Sequence, residues 1–378
     1  MENRKILKIP LILLMILVSF LQPLDVLGQK KSKKSKKKRP ELVVEFSLST
    51  TYDDNILKYS EKYLERFDKQ QDQGRFHIDT YDDLIFSPSL EFSSTFKVIG
   101  NMRTRINAEF SQYLYLRNDI KNWNSMNIGI QQYLAKRASF KVFYSYIPDF
   151  YVRHFRDDDW VNVYGYTPET FQPYSFAKEN LGLWAENTFF GNSRVRLSFN
   201  YAKYYHNQHF TEYDCNNLNY GINLYQTIHK KLKVGIGYDF TASDAKGYDQ
   251  NNENKRNSDD SDASYDEDSY FVSCSWDLPF LSKLDPNLNA EFEYLKRYYT
   301  TTNYLELDRE HAGRVDENLR IGLNYNLKFS KSLKGSVFYN YMLRNSDTSA
   351  EINKVYLSNE KDYRQGQIGF EIIYNFKI

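Results

Sequence analysis

Hydrophobic and polar residues alternate along most of the chain from Leu42 onward. In the first such run, at 42–48, every even position is apolar and most odd positions are polar. A period of two places alternate side chains on opposite faces of a β-strand, so each run predicts a strand with one apolar face. Fourteen runs of this kind can be counted. An even number is what a closed antiparallel barrel with both ends on one side requires.

The lengths of the links between the runs distinguish two all-β architectures. Links after odd-numbered runs tend to be long, and links after even-numbered runs, such as 98–100 and 191–192, tend to be short. The long links lie at about 53–80, 148–175, 243–264 and 345–362. A soluble sandwich has no reason to keep this parity, whereas a membrane barrel does. We therefore predict a transmembrane antiparallel up-and-down β-barrel of about 14 strands over residues 42–378.

The first 28 residues have the pattern of a cleaved secretory signal peptide. Arg4, Lys5 and Lys8 precede an apolar run at 9–21, and Gly28 ends a stretch suited to signal peptidase. Residues 29–41 follow as a basic segment, with eight cations between Lys30 and Arg39. So many like charges predict a solvated tail, either a spacer or a contact with anionic headgroups or cell-wall polymer. An exported chain is not expected to bind nucleic acid.

The net charge of +1 hides an asymmetry. The signal segment carries +1 and Lys30–Arg39 carries +8, so the residues after Arg39 carry −8. The predicted barrel is therefore acidic. Cys215 and Cys274, the two cysteines of the chain, fall on different predicted strands, and we expect no disulfide between them.

Two segments resemble known membrane barrels. The chain ends in an alternating strand, 372–378, with Phe376 near its end, and Tyr52-Asp53-Asp54-Asn55-Ile56 follows the first strand. These features resemble bacterial outer-membrane β-barrels of the porin-like class. The resemblance implies an outer-membrane location with periplasmic N- and C-termini. It also implies contact with outer-membrane lipid and lipopolysaccharide, and recognition of the last strand by the barrel assembly machinery.

The strand register predicts which charged residues face the lumen. They are Glu45, Glu91, Arg105, Glu109, Lys141, Glu186, Arg194, Arg196, Asp239, Glu291, Glu293, Arg320 and Glu371. A barrel of fourteen strands is too wide for side chains alone to fill, so water or a loop must occupy it. Opposing charges then favour a pore for small polar solutes. Equally, they could form ion pairs inside a blocked barrel that serves binding, anchoring or surface assembly.

The link at 148–175 is unusually aromatic. Its candidate residues for a constriction or a ligand site are Phe150, Tyr151, Trp160, Tyr164, Tyr166 and Phe171. A solvated loop does not leave so much apolar area in water. We expect this segment to pack on the barrel mouth or fold into the lumen. A stacking surface for a flat or apolar ligand is the alternative.

The chain gives little support for catalysis, so we predict no enzyme, no cofactor and no catalytic residues. The histidines occur in none of the common hydrolase motifs, and an outer-leaflet hydrolase using His206, His209 and Asp53-Asp54 is the least favoured alternative. The acidic runs at 157–159 and 244–268 do not match the spacing of a calcium loop. We therefore predict no metal site.

Overall fold

The structure is a computed structural model that describes residues 41–98, 102–134, 137–280 and 282–377. The predicted signal peptide lies outside the described residues, and so does the basic tail up to residue 40. Most of the described chain is β-strand, as the alternation predicts. The strands are β1 (Glu41–Asp53), β2 (Asp83–Lys97), β3 (Arg103–Tyr115), β4 (Trp123–Tyr133), β5 (Ala138–Arg156), β6 (Phe171–Phe189), β7 (Ser193–His206), β8 (Cys215–His229), β9 (Leu232–Ala245), β10 (Tyr265–Asp277), β11 (Asn287–Tyr299), β12 (Arg314–Lys328), β13 (Leu333–Thr348) and β14 (Tyr363–Lys377).

The fourteen strands form one closed antiparallel barrel. Each strand pairs with its neighbours in the sequence, and β1 pairs with β14 to close the sheet. The register at this seam runs from Val43 opposite Lys377 to Asp53 opposite Gln367. Closure leaves no strand edge without hydrogen-bond partners, which is a condition for crossing a bilayer. The predicted fold class and strand number are confirmed.

The outer face of the barrel wall is apolar and uncovered. On β8, Leu218, Tyr220, Ile222 and Leu224 keep 37%, 50%, 43% and 43% of their surface exposed. The same pattern recurs on strands all around the barrel. An apolar belt of this extent has no counterpart on a soluble monomer and matches the hydrocarbon of a bilayer. The alternate side chains, such as Asn219 next to Tyr220, point to the inside.

The two ends of the barrel differ in their connections. One end has the turns 98–102, 134–137, 190–192, 230–231, 278–286 and 329–332, together with the first residue of β1 and the last of β14. The other end has seven loops, which we name L1 (54–82), L2 (116–122), L3 (157–170), L4 (207–214), L5 (246–264), L6 (300–313) and L7 (349–362). L2 and L4 are no longer than the turn at 278–286, so length alone does not distinguish every connection. The predicted parity otherwise holds.

Three short helices lie in the loops. They are α1 (Glu61–Asp68) in L1, α2 (Asp158–Tyr164) in L3 and α3 (Glu351–Lys361) in L7. Ser60 caps α1, because its hydroxyl accepts a hydrogen bond from the backbone N–H of Tyr63. Among the described residues, no helix is long and apolar enough to cross a membrane.

The predicted aromatic link at 148–175 is wrong in its bounds. β5 continues to Arg156 and β6 begins at Phe171, so only L3 connects them. Two register shifts, after Ile147 and after Tyr151, let this pair of strands continue past the neighbouring β4. The aromatic residues that suggested a packed loop favour strands, and here they extend the sheet.

Candidate functional site

A cluster of buried apolar side chains lies in L1, over the end of the barrel. Ile56, Leu57, Tyr59 and Tyr63 of L1 pack there against Tyr151 of β5, and Tyr59 is only 1% exposed. Leu64, Phe76, Ile78 and Tyr115 surround them. Burial of this apolar area holds L1 against the wall. The length of this segment predicted only a long link, although the apolar residues before and within α1 were a signal of the cluster.

Polar contacts fix one side of L1 to β14. The side-chain amide of Asn55 donates to the carbonyl oxygens of Tyr59 (2.8 Å) and Arg364 (2.9 Å). Gln365 donates to both carboxylate oxygens of Asp53, at 2.9 and 2.7 Å, and Gln367 donates to one of them at 2.7 Å. Because Asp53 and Asn55 are 3% and 2% exposed, these bonds lie in a protected environment.

The other side of L1 is held by β5. The guanidinium of Arg153 donates to the carbonyl oxygens of Leu57 and Lys58, the second at 3.1 Å. β5 is four strands from β1 and three strands from β2, the two strands that L1 connects. L1 therefore crosses part of the opening of the barrel.

Lys58 lies in this crossing segment. Its backbone has φ +53°, the left-handed region that non-glycine residues rarely adopt. Burial lowers the pKa of its ammonium group, and the positive charges of Arg344 and Arg320 act in the same direction. The ammonium lies 5.8 Å from the centre of the Tyr363 ring on β14.

Other loops pack on L1. A Cβ at Gly74 would lie 2.3 Å from the carbonyl oxygen of Pro168, so L1 touches L3 where only glycine fits. The Arg75 guanidinium lies 4.8 Å from the Phe171 ring centre. Lys62 of α1 and Glu360 of α3 form an ion pair at 2.5 Å. L1, L3 and L7 together form a cover over this end.

L6 is attached to L7 by a partly buried ion pair. Lys361 lies 2.5 Å from Glu310. Burial alone would raise the pKa of Glu310, but the charges of Lys361 and His311 lower it to about 2. His311 in turn lies 2.8 Å from Asp308, which is 1% exposed. These contacts favour an ordered cover.

L2 contributes a buried lysine. The ammonium of Lys121 donates to the carbonyl oxygen of Tyr151 at 2.8 Å, and Lys121 is 4% exposed. Burial lowers its pKa to about 7. At neutral pH this buried ammonium group is therefore only partly protonated.

Register places all thirteen predicted lumen residues on the face opposite to the apolar belt. Glu45, Glu91 and Glu109 lie directly opposite one another on β1, β2 and β3, so three carboxylates form one row. Arg105 pairs with Glu91 at 3.0 Å. Like charges in register destabilise a sheet, which makes this row a functional candidate.

Ion pairs lie elsewhere on this face as well, two of them at Glu186 and others at Glu293, Glu267 and Asp316. On β6 and β7, Arg196 and Arg194 lie 2.9 and 3.9 Å from Glu186. On β11 and β12, Arg320 lies 3.0 Å from Glu293. Lys141, Asp239, Glu291 and Glu371 share the face and form no ion pair with another described residue. Cations and carboxylates are thus unevenly distributed around the wall.

A cavity of about 300 Å³ opens on the inner wall of β11 to β14. Its lining includes Glu291, Glu293, Arg320, Asn340, Gln365 and Gln367. Gly322 leaves this space open: a Cβ there would lie 3.3 Å from Oδ1 of Asn340 and 3.9 Å from the Cβ of Glu291. The cavity offers carboxylates, a guanidinium and amides to a polar solute.

The six predicted aromatic residues do not form one site. Tyr151 and Phe171 are 7% and 4% exposed, and Phe150 packs on Phe176. The L3 residues Trp160, Tyr164 and Tyr166 are 37%, 64% and 82% exposed. The segment is therefore divided between the cover and the surface.

The histidines and Asp53 considered for hydrolysis are not brought together. His206 and the Tyr174 hydroxyl share a hydrogen bond of 2.9 Å, and His209 shares one of 2.7 Å with the carboxylate of Asp157. Asp53 is engaged with β14, as described above. The geometry of the described residues assembles no nucleophile and base from these groups.

Three carboxylates of L5, Asp249, Glu253 and Asp260, have oxygens within 4.8 Å of one another. Burial and the charge of Asp260 raise the pKa of Asp249 to about 7. These residues belong to the acidic stretch at 244–268, for which the sequence predicts no metal site. Both cysteines are free thiols.

No family model matches the chain, and neither does any curated protein. Solved structures with a similar trace include OmpT, an outer membrane protein of Vibrio cholerae (TM-score 0.45, 12% identity, 91% of this chain and 100% of that chain). Others are the outer membrane channel DcaP of Acinetobacter baumannii (0.43, 11%, 92% and 100%) and an anion-selective porin from Comamonas acidovorans (0.43, 8%, 89% and 99%). These values carry no argument about activity.

The closed wall with its apolar belt decides the architecture. The protein has the outer-membrane β-barrel fold. Its site residues must be read from its own geometry, because fold alone does not give function.

Proposed function

We propose that the protein is a porin-like channel for passive passage of small polar solutes across the outer membrane. The observation that carries the proposal is the carboxylate row of Glu45, Glu91 and Glu109, with the arginines of β7 on a different part of the wall. Such a row is costly in a filled interior but is tolerated beside water. Separated charges produce a field across the pore.

L1 is the constriction in this proposal, in place of the aromatic segment expected from the sequence. It crosses the opening between its contacts with β14 and with Arg153 of β5. Solutes pass between L1 and the wall, next to the cavity at Gly322. The carboxylate row of Glu45, Glu91 and Glu109 attracts cations, so a weak preference for cations is expected.

The orientation follows from the asymmetry of the two ends. The loop end faces outward and the short turns face the periplasm, together with both termini of the chain. The last strand binds the barrel assembly machinery, and Lys30–Arg39 forms a basic tail that contacts cell-wall polymer. The protein acts without catalysis.

Planar-bilayer recordings of the purified protein test the channel. Stepwise conductance with a reversal potential that indicates mild cation preference is expected in a salt gradient. The absence of steps over a wide voltage range would reject the channel. An anion preference would reject the assigned role of the carboxylate row.

A non-conducting anchor is the second candidate. The observation in its favour is the number of polar contacts that hold L1, L6 and L7 over the opening. In that case the loops would bind a partner at the cell surface. Protein that is folded but electrically silent, even after release of L1, would support this candidate.

A further inference from the structure

A row of polar side chains lies on the outer wall of β7, β8 and β9, at the loop end. Lys203, Asn216 and Asp244 are paired in register, and all three point outward. The next row below them consists of Tyr201, Leu218 and Ala242, followed by Phe199, Tyr220 and Phe240. The Tyr201 hydroxyl donates to Oδ1 of Asn216 at 2.9 Å. This tyrosine marks the change from the apolar belt to the headgroup level.

L5 folds beside this row and forms a pocket of about 600 Å³. We call it the rim pocket; it is lined by Lys203, Tyr204, Tyr205, Asp214, Cys215, Asn216, Asp244, Ala245, Lys246, Tyr248, Asn254, Lys255 and Arg256. Four cations and two carboxylates therefore line it. This local surplus of positive charge contrasts with the net charge of −8 that the chain carries after Arg39.

Three of the four cations form no ion pair with a described residue, although Glu179 of β6 lies opposite Lys203 in the register. Lys255 pairs with Asp244 at 2.5 Å. Lys246 has only the Thr211 hydroxyl at 3.4 Å and the Tyr248 ring, whose centre is 4.9 Å from its ammonium. Lys203 lies 5.9 Å from the Tyr201 ring centre. Arg256 forms no ion pair with a described residue.

We infer that the rim pocket binds the phosphate of a phosphorylated lipid in the surrounding leaflet. Lysine and arginine side chains bind phosphate by charge-assisted hydrogen bonds. The apolar rows directly below the pocket would contact the acyl chains of the same molecule. A soluble phosphate would gain nothing from those rows, so the position of the pocket favours a lipid. This inference does not depend on whether the barrel conducts.

Native mass spectrometry of the purified full chain, titrated with bis-phosphorylated lipid A, tests the inference. The triple variant Lys203→Gln, Lys246→Gln, Arg256→Gln should bind at least about tenfold more weakly, since each cation near an anionic headgroup contributes roughly 1 kcal/mol. A matched variant, Lys69→Gln, Arg117→Gln, Lys354→Gln, removes the same charge from other loops and should bind like the unmodified protein. A gel shift on heating confirms that each variant is folded, and Lys203→Arg should retain binding.

Four results would overturn the inference. Equal binding by the rim variant would show that the cations are not used, and an equal loss in the matched variant would show unspecific attraction. Equally tight binding of dephosphorylated lipid A would exclude phosphate recognition. Displacement of lipid A by an excess of inorganic phosphate would assign the pocket to the free anion.

Discussion

Arg153, near the end of β5, donates a hydrogen bond to the backbone carbonyl of Lys58 at 3.1 Å. The same guanidinium also bonds the carbonyl of Leu57. These bonds tie L1 to a strand that is three positions from β2 and four from β1, the strands to which L1 is covalently attached. One side chain therefore holds this side of L1 in place.

Arg153→Gln should raise the conductance of the channel. Losing the bonds of the charged group costs about 2 kcal/mol, which is about a thirtyfold change in the equilibrium between held and released L1. Single-channel recording measures the change. Arg117→Gln, at an exposed residue of L2, is the control and should leave conductance unaltered. An unchanged conductance in Arg153→Gln would contradict the role of L1 as constriction.

Replacing residues 159–166 of L3 with a short glycine-serine linker should leave conductance almost unchanged. Trp160, Tyr164 and Tyr166 are exposed and contribute no side chain to the buried cluster of L1. The comparison with Arg153→Gln in the same bilayer distinguishes the two loops. A large increase after the replacement would restore the aromatic segment as the constriction.

Gly322→Gln should reduce passage of uncharged polar solutes. The new side chain would occupy the cavity between Glu291 and Asn340, whose nearest atom is a flexible amide oxygen 3.3 Å away. Liposome swelling measures the rate for solutes of graded size, and the largest ones should be affected most. Equal rates in protein with and without Gly322→Gln would argue against this path.

Glu310→Gln should destabilise the cover at neutral pH. The pKa of Glu310 is lowered to about 2 by Lys361 and His311, so its contribution is present above the ordinary value of 4.5. That contribution is lost as pH falls from about 4.5 to about 2. We expect about 1 kcal/mol at neutral pH, because a third of the Glu310 side chain remains exposed to screening. Urea unfolding of folded barrels measures it, and the difference should vanish near pH 2.

Glu212→Gln should stabilise the protein at pH 8, whereas Glu310→Gln destabilises it at neutral pH. Burial raises the pKa of Glu212 in L4 to about 8, against 4.5 when unfolded. The folded form therefore keeps a proton that the unfolded chain loses, and its stability falls as pH rises from about 4.5 to about 8. The variant should be more stable than the unmodified protein at pH 8 and similar to it near pH 4.5. A variant that is less stable at pH 8 would contradict the raised pKa.

The alternation along the sequence was sufficient to predict the barrel wall. Lipid and lumen impose opposite requirements on successive residues, so the spacing of Leu218, Tyr220 and Ile222 identifies the lipid-facing side of β8. The inner face followed from the same register, which is why Glu186 and its arginines could be named. No comparable rule applies to the loops.

The cover could not be predicted for a physical reason. Asn55 bonds the carbonyl of Arg364, which is 309 residues away, and Arg153 bonds Lys58 across 95 residues. Such contacts form only when distant segments of the chain meet in the closed barrel. They therefore produce no periodic pattern in the sequence. The aromatic residues at 148–175 were correctly identified as unusual, but their strand propensity was underestimated.

The seam between the first and the last strand has a consequence for assembly. Asp53 ends β1, and its carboxylate is held by Gln365 and Gln367 of β14. The acceptor for Asn55 also belongs to β14. L1 therefore lacks its docking contacts on this side until the final strand of the chain has arrived and paired. Sealing the wall and fixing this side of the lid are a single step, so a barrel still waiting for its last strand has both an open seam and a half-anchored lid.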